Sequence, residues 1–438
     1  MNPLQLLQTL TKSGTTVPLG ETAFRPGQIV LGKVVSLFPN QMAEVKIGSQ
    51  KLIAQLEVPL AINDQYWFLV QQGEGEIHLK IAAQENSSNL AGKLPSDLLL
   101  KQLGIAATKE SRMLLEFAVQ NRLSISKEWL QLGTGWLKNL PDQSAGMETL
   151  KIMSEKDFPL TKTVFTALMS ATSTDHIRTL MERLADLVRT GTSRSEMSGD
   201  LLAVLNHLLG KEDDLTASQP SKIDWGNSEA VGRHLKQLMD TIGLNYESEL
   251  LQKGNDIGNA AVQSSLKPLL LKYLNENPTF EQKQAAEQLL NRITALQLLS
   301  SDNGVLQQFV AQIPLSFPQL IKEATIQWNG RKQADGKIDP NYCRILFYLE
   351  LETIGDTFID VQIQNRIMTL DIMNERTDLK EMSSSLINSL KDQLRRMDYH
   401  LSSYSFSVPS EKQMMTKSLK NSAIPAIHHR IQGVDLRI

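Results

Sequence analysis

A single cysteine, Cys343, stands in 438 residues. That scarcity excludes an intramolecular disulfide framework and a cysteine-based zinc site, and it suits a reducing cytoplasm. Cys343 begins an expected strand, where a free thiol behaves as a small buried hydrophobe. Catalytic signatures are missing as well: the chain has no H-E-x-x-H, no G-x-S-x-G, no Walker loop and no glycine-rich dinucleotide fingerprint. Gly73-Glu74-Gly75 lacks a third glycine and a following helix. His78, His176, His207, His234 and His400 are scattered singly, and His428-His429 are neighbours whose side chains point apart in an extended chain. Glu350 and Glu352, or Asp356 and Asp360, share strand faces and read as solvated sheet surface. No catalytic, cofactor-binding or metal-binding residue is assigned, and the chain reads as a non-enzyme.

Charge of one sign is also lacking. A formal net charge of −3 and a pI near 6.2 give no global attraction to nucleic acid or an anionic membrane, so the expected partner is protein. No run reaches the roughly 18 uninterrupted apolar residues of a membrane helix. Met1 to Leu10 is apolar but carries no basic segment and no small-residue cleavage site, unlike a secretory signal.

What is present is ordinary globular composition, 41% hydrophobic and 21% charged, over a length that allows two to four domains. The expected fold class is multidomain α+β, with a small N-terminal β-barrel, a central helical region and a C-terminal β-sheet-plus-helix domain. The expected boundaries are a flexible segment at 1–20, the barrel at 21–85, helices at 90–305, the α+β domain at 312–410 and a basic flexible tail at 411–438.

The barrel rests on short β-rich runs at 29–35, 43–47, 52–56, 66–70 and 77–81, divided by Gly27, Gly32, Pro39-Asn40, Gly48 and Asn63-Asp64. Five such strands close naturally, and Gly27 to Val34 is similar to the first strands of OB-like nucleic-acid modules. Between residues 24 and 82, however, five basic residues face five acidic ones, whereas a phosphate-tracking groove needs positive excess and exposed aromatics. Tyr66, Trp67 and Phe68 are consecutive and read as packing residues.

Helical spacing marks 107–121, 126–139, 161–172, 175–190, 229–252 and 279–301. Ser126-Lys127 and Thr161-Lys162 each place a hydroxyl cap before an apolar run, a pattern that fits either duplicated helical hairpins or coincidence. Lys211 to Asn227 reads as a loop, and Pro268 should start, kink or end a helix.

Downstream, Ile345, Phe347, Leu349 and Leu351 alternate with polar neighbours, Ile359, Val361 and Ile363 repeat the pattern, and Met368, Leu370 and Ile372 repeat it again. Asn365-Arg366 makes a tight turn between the last two, giving a three-stranded meander. Thr377 is placed to cap a helix whose stripe runs from Leu379 through Ile387, Leu390 and Leu394 to Met397. Tyr399 to Val408 forms a final strand with a bulge at Ser402-Ser403, and Ala324 to Trp328 adds an edge strand.

These residues carry a family likeness. Leu349-Glu350-Leu351, then Ile354-Gly355, then the meander, then Leu390-Lys391-Asp392-Gln393-Leu394 resembles the C-terminal domain of the flagellar hook-length control protein. That family's helix reads L-[RK]-x-Q-L-x-x-x-G-[IY]-x-L and its turn reads Leu-Gly-x-Val-x-Ile. Here Asp398 replaces the helix-ending glycine and Thr357 replaces the valine, while Ile359 keeps its place. The ending Val434-Asp435-Leu436 is similar to the family's Val-Asp-Ile.

The resemblance implies a module that contacts the cytoplasmic switch domain of the type III export gate, or a small soluble protein resembling it, to regulate hook length or substrate specificity. It implies partner-binding residues at Gly355, Thr357, Ile359, Leu390, Leu394, Val434 and Asp435. It also makes Met1 to Leu10 readable as an uncleaved export signal, and equally as a docking helix or frayed terminus. The expected location is the cytoplasm, with export through the flagellar apparatus as an option and without stable membrane insertion. The ruler members carry long Pro- and Gln-rich N-terminal regions, whereas this chain has only 16 prolines. Two alternatives stand beside this reading: a cytoplasmic scaffold that kept the fold without ruler activity, and a nucleic-acid adaptor acting through the barrel. In the tail, five basic residues against two acidic ones add weak attraction to acidic protein surfaces.

Overall fold

A computed structural model describes residues 26–39, 42–48, 50–56, 60–72, 77–84, 96–173, 175–191, 195–211, 227–247, 264–300, 306–317, 321–333 and 337–408. The expected N-terminal segment and basic tail lie outside these residues. The chain divides into two compact units, one spanning Thr16–Met169 and the other running from Ser170 onward. The sequence reading has one helical region; in the structure its first helices belong with the barrel and its later ones with the sheet.

In the first unit, β1 (Ile29–Phe38), β2 (Met42–Ile47), β3 (Gln50–Leu56), β4 (Gln65–Gln72) and β5 (Ile77–Gln84) form a closed barrel in the order β1-β2-β3-β5-β4. Every pairing is antiparallel except β3 with β5. Alternation along each strand sends Val30, Val34, Val45, Leu56, Phe68 and Leu79 inward to a fully buried core. Gly32 occupies an inward position that no side chain fits, because a Cβ there would lie 2.6 Å from Val45 Cγ1. Tyr66, Trp67 and Phe68 are all buried, as their packing role requires.

Helices α1 (Ser96–Gln102), α2 (Lys109–Gln120), α3 (Lys127–Leu137), α4 (Gln143–Glu155) and α5 (Lys162–Ser170) follow. Ile29 and Ile125 exchange two backbone hydrogen bonds of 2.7 and 2.9 Å, stitching β1 to the segment before α3. The hydroxyl caps act as expected: Ser126 Oγ accepts from Trp129 N at 3.0 Å and Thr161 Oγ1 from Val164 N at 3.3 Å. Each satisfies an amide that the first turn leaves orphaned.

In the second unit, α6 (Ile177–Thr190), α7 (Glu196–Leu209), α8 (Ser228–Ile242), α9 (Leu266–Leu274) and α10 (Phe280–Leu299) precede the sheet. Pro268 lies in the first turn of α9, where its missing N–H costs no helical bond. The helix expected over 229–252 ends at Ile242, because Gly243 adopts a left-handed cap at φ 86°. The sheet comprises β6 (Leu306–Phe317), β7 (Ile321–Lys332), β8 (Ile338–Leu351), β9 (Gly355–Gln364), β10 (Ile367–Met373) and β11 (His400–Ser407), ordered β11-β10-β9-β8-β7-β6. Helices α6, α7, α8 and α10 pack on β6, where Val310, Ala311 and Ile313 are fully buried.

Four expectations about this unit need correcting. The sheet begins at Leu306, six residues before the expected boundary at 312, and Ala324 to Trp328 is interior because β6 lies outside it. The helix after β10 is broken into α11 (Leu379–Met382) and α12 (Ser384–Arg396), and Asp378 rather than Thr377 occupies the first cap, without a side-chain bond. The β9–β10 turn does form through positive φ at Asn365 and Arg366, and the β11 bulge falls at Ser402, which the register skips between Leu401 and Ser403.

Candidate functional site

The sheet residues expected to meet a partner lie on cross-strand rows. Phe347, Ile359 and Ile372 form one row across β8, β9 and β10, and Ile345, Val361 and Leu370 form the next. Helix α12 covers this face with its stripe: Ile387 and Leu394 are buried, and Leu394 joins Cys343, Val361, Ile363, Leu370 and Leu401 in one cluster. Leu390 and Ile359 are half-buried against it. The two helical pieces do not bury their whole apolar set, because Leu386 of α12 is 68% exposed and Met382 of α11 is 56% exposed.

The expected binding residues therefore separate. Leu394 is core, and so is Thr357, at 7% and 3% exposure, so neither side chain meets a partner unless the domain opens. Thr357 Oγ1 accepts from Asn374 Nδ2 at 2.7 Å, and the same amide donates to Ile354 O at 3.0 Å and Asp356 O at 3.2 Å. That hydroxyl thus anchors a buried asparagine that ties β10 to the β8–β9 turn. Asn374 escapes sequence reading, since an asparagine at a strand end signals only a turn. Gly355 supplies that turn at φ 77°. Ile359 and Leu390 remain partly accessible, while Val434 and Asp435 lie outside the described residues.

Below this face the sheet meets the helices through charged groups. The carboxylates read as solvated surface are more committed than that: Asp360 is buried and takes two bonds from Arg344, 2.9 Å from Nε and 2.7 Å from Nη2, in a forked pair. His176, expected to be isolated, stands at the start of α6 between Glu323 and Glu350, with Nδ1 3.5 Å from one and Nε2 3.6 Å from the other. Those glutamates are direct cross-strand partners, and buried Glu323 also accepts the Arg178 amide at 3.2 Å. Bonding to Glu323 and the nearby negative charges raise the His176 pKa above its ordinary value, against desolvation. Burial and the neighbouring acids push the Tyr348 hydroxyl well upward. His176 and the Arg178 amide fix α6 to β7 and β8, and Arg344 fixes β8 to β9. These contacts create no nucleophile paired with a base, and the described residues hold no cluster of metal-ligating side chains.

On the barrel, Lys33, Lys46 and Lys51 are successive cross-strand partners on β1, β2 and β3. Their row lies on the outward pleat beside exposed Ile53, and Glu44 pairs with Lys51 at 3.0 Å. Sequence reading balanced these charges; register shows that the lysines share one line.

Comparison with known proteins identifies the barrel. Residues 7–80 match the family described as the TP0910 S1-like domain. An uncharacterized protein of Bacillus subtilis (strain 168), YlqG, is 19% identical over 515 aligned positions, taking in 86% of this chain and 88% of the relative. No solved structure matches.

Proposed function

We propose that this chain, built from an S1-like barrel, helices and a six-stranded sheet with a covering helix, is a non-enzymatic recognition protein. Its C-terminal domain takes the switch domain of a type III export gate, or a soluble homologue of it, and thereby regulates hook length or substrate specificity. The observation that carries the reading is the unfinished apolar cover: Met382 of α11 and Leu386 of α12 are exposed, while Ile387 and Leu394 of α12 are buried on the sheet. A large apolar side chain left in water on a helix whose opposite stripe is docked is the composition of an interface core. The hook-length likeness of the same segment supplies the partner. No helix among the described residues is long and apolar enough to cross a membrane, and the proposed workplace is the cytoplasm, with export through the flagellar apparatus as a further step.

The test is capture of a purified export-gate switch domain by the full chain, compared with Leu386→Glu and Met382→Glu. Both variants should melt like the parent and lose at least tenfold in affinity, about 1.4 kcal/mol. Unchanged affinity would remove the surface. Ile359→Ala sharpens the result: a loss of binding without a change in melting marks a contact, and a parallel loss marks core.

A second reading is favoured by the S1-like match and the lysine row. A line of three ammonium groups across a barrel face can track a phosphate backbone, making the protein a nucleic-acid adaptor. Labelled single-stranded RNA and DNA titrated at low and moderate salt decide it. This reading needs affinity that falls steeply with salt and drops in Lys46→Ala; salt-independent or absent binding sinks it.

A further inference from the structure

The C-terminal end of α12 and the β9–β10 turn border an open pocket of about 290 Å³. Three non-glycine residues with left-handed backbone converge on it: Asn365 at φ 50°, Arg366 at φ 64° and Asp398 at φ 64°. Such conformations are held by their surroundings and gather where a side chain must be presented. The second position of a two-residue hairpin turn ordinarily favours glycine; arginine there puts a long cation into the pocket.

The Arg366 guanidinium is held on several sides. Nε donates to Asn341 Oδ1 at 3.0 Å, Nη1 lies 3.5 Å from Met397 O and 3.3 Å from the Asp398 carboxylate, and the group sits 5.3 Å over the Tyr399 ring. Nη2 has no acceptor among the described residues. A fixed, planar donor with one open edge matches an oxyanion, since little side-chain freedom is left to lose on binding. Arg395 and His400 line the same pocket, and exposed Ile367 gives it an apolar rim. The helix end contributes about half a negative charge, and Arg395 is already paired with Asp392 at 3.6 Å, so Arg366 is the cation left to answer an incoming carboxylate once Asp398 swings away.

We infer that this pocket receives the carboxylate of an acidic side chain on a protein segment, with Arg366 as the fork and Asp398 as the resident carboxylate that the incoming one displaces. Asp398 suits that role because its side chain is 88% exposed, and an ion pair so open to water holds weakly. The volume lies at the lower edge of the roughly 300–1,000 Å³ that small-molecule sites need, which fits a side chain better than a cofactor. The site is separate from the exposed Leu386 and Met382 surface, so its fate and that of the switch-domain reading are independent.

The experiment follows the Arg366 Nε–H resonance of the full chain while an acetylated tetraglutamate peptide is added, with inorganic phosphate as the competing source of the same oxygen chemistry. The peptide should shift the resonance and bind at least tenfold more tightly than phosphate. Asp398→Gly should strengthen peptide binding at least threefold by removing the internal competitor. Arg366→Gln should abolish it while the melt is retained. Equal affinity for phosphate, unchanged peptide affinity in Arg366→Gln, or no gain in Asp398→Gly would each overturn the assignment.

Discussion

The five strands of the barrel close on themselves and leave no edge, whereas the six strands of the C-terminal sheet end at β11 with one side unpaired among the described residues. The barrel core is made chiefly by alternation: its inward residues form one buried cluster, with Ile47, Leu52, Leu60 and Ile81 packed against it. The sheet needs two further layers, α12 on one face and the helices that pack on β6 on the other, and the first of these is incomplete. The exposed edge is also unguarded, because His400 to Ser407 contains no lysine, glutamate or proline, the residues that usually blunt such strands. Closure makes a fold self-sufficient; an open, part-covered sheet makes one that has surface to offer.

The sharpest way to break this contrast is Leu394→Asp. An unpaired carboxylate in the α12 interface costs at least about 3 kcal/mol, enough to undo the helix–sheet layer. Hydrogen exchange should show loss of protection across β8 to β11 while the barrel amides stay protected. The converse, Gly32→Ala, forces a methyl against Val45 and Phe68 and should cost about 1–3 kcal/mol in the barrel, leaving the sheet amides unchanged. If either substitution unprotects both regions equally, the two units are not independent.

A smaller effect should appear with pH. His176 has a raised pKa in the folded state, so its contribution is complete below the ordinary value of 6.5 and is lost as pH rises through the raised value. Stability of the sheet-bearing unit should therefore decline from about pH 6 upward through that window, and denaturant titrations of His176→Gln should lack the slope. The smallest change is Asp398→Gly, which relieves a left-handed residue and gives up only an exposed ion pair; a stabilisation below about 1 kcal/mol is expected in the denaturation midpoint.

How much of this was legible differs between elements for physical reasons. The barrel strands and β8 to β10 were readable because each buries one face and so alternates with period two. β6 was not, because Val310, Ala311 and Ile313 are buried on both faces and the alternation disappears. Helix α4 (Gln143–Glu155) gives no clear helical signal, since Ser144, Gly146 and Thr149 dilute its stripe, although Asp142 caps it with two amide bonds of 3.0 and 3.1 Å. The lysine row and the His176 contacts depend on register and tertiary approach, which no local pattern encodes. Periodicity predicts one stripe from Leu379 to Met397, yet Leu386 and Met382 face water, so it finds the helix and overstates its burial.

The order of strands in the sheet, β6 through β11 in unbroken sequence, is also the order in which a ribosome releases them. Each hairpin finds its neighbour as soon as it emerges, without waiting for a distant segment. Only β11, lying parallel to β10, must wait for α12 to cross over. At about 5–20 residues per second, the stretch from Leu306 to Ser407 takes on the order of 5–20 s to appear, and for the final seconds β10 is the growing sheet's bare margin. A nascent chain stalled with β10 outside the ribosome and β11 still within it would present that margin to chaperones and to other nascent copies.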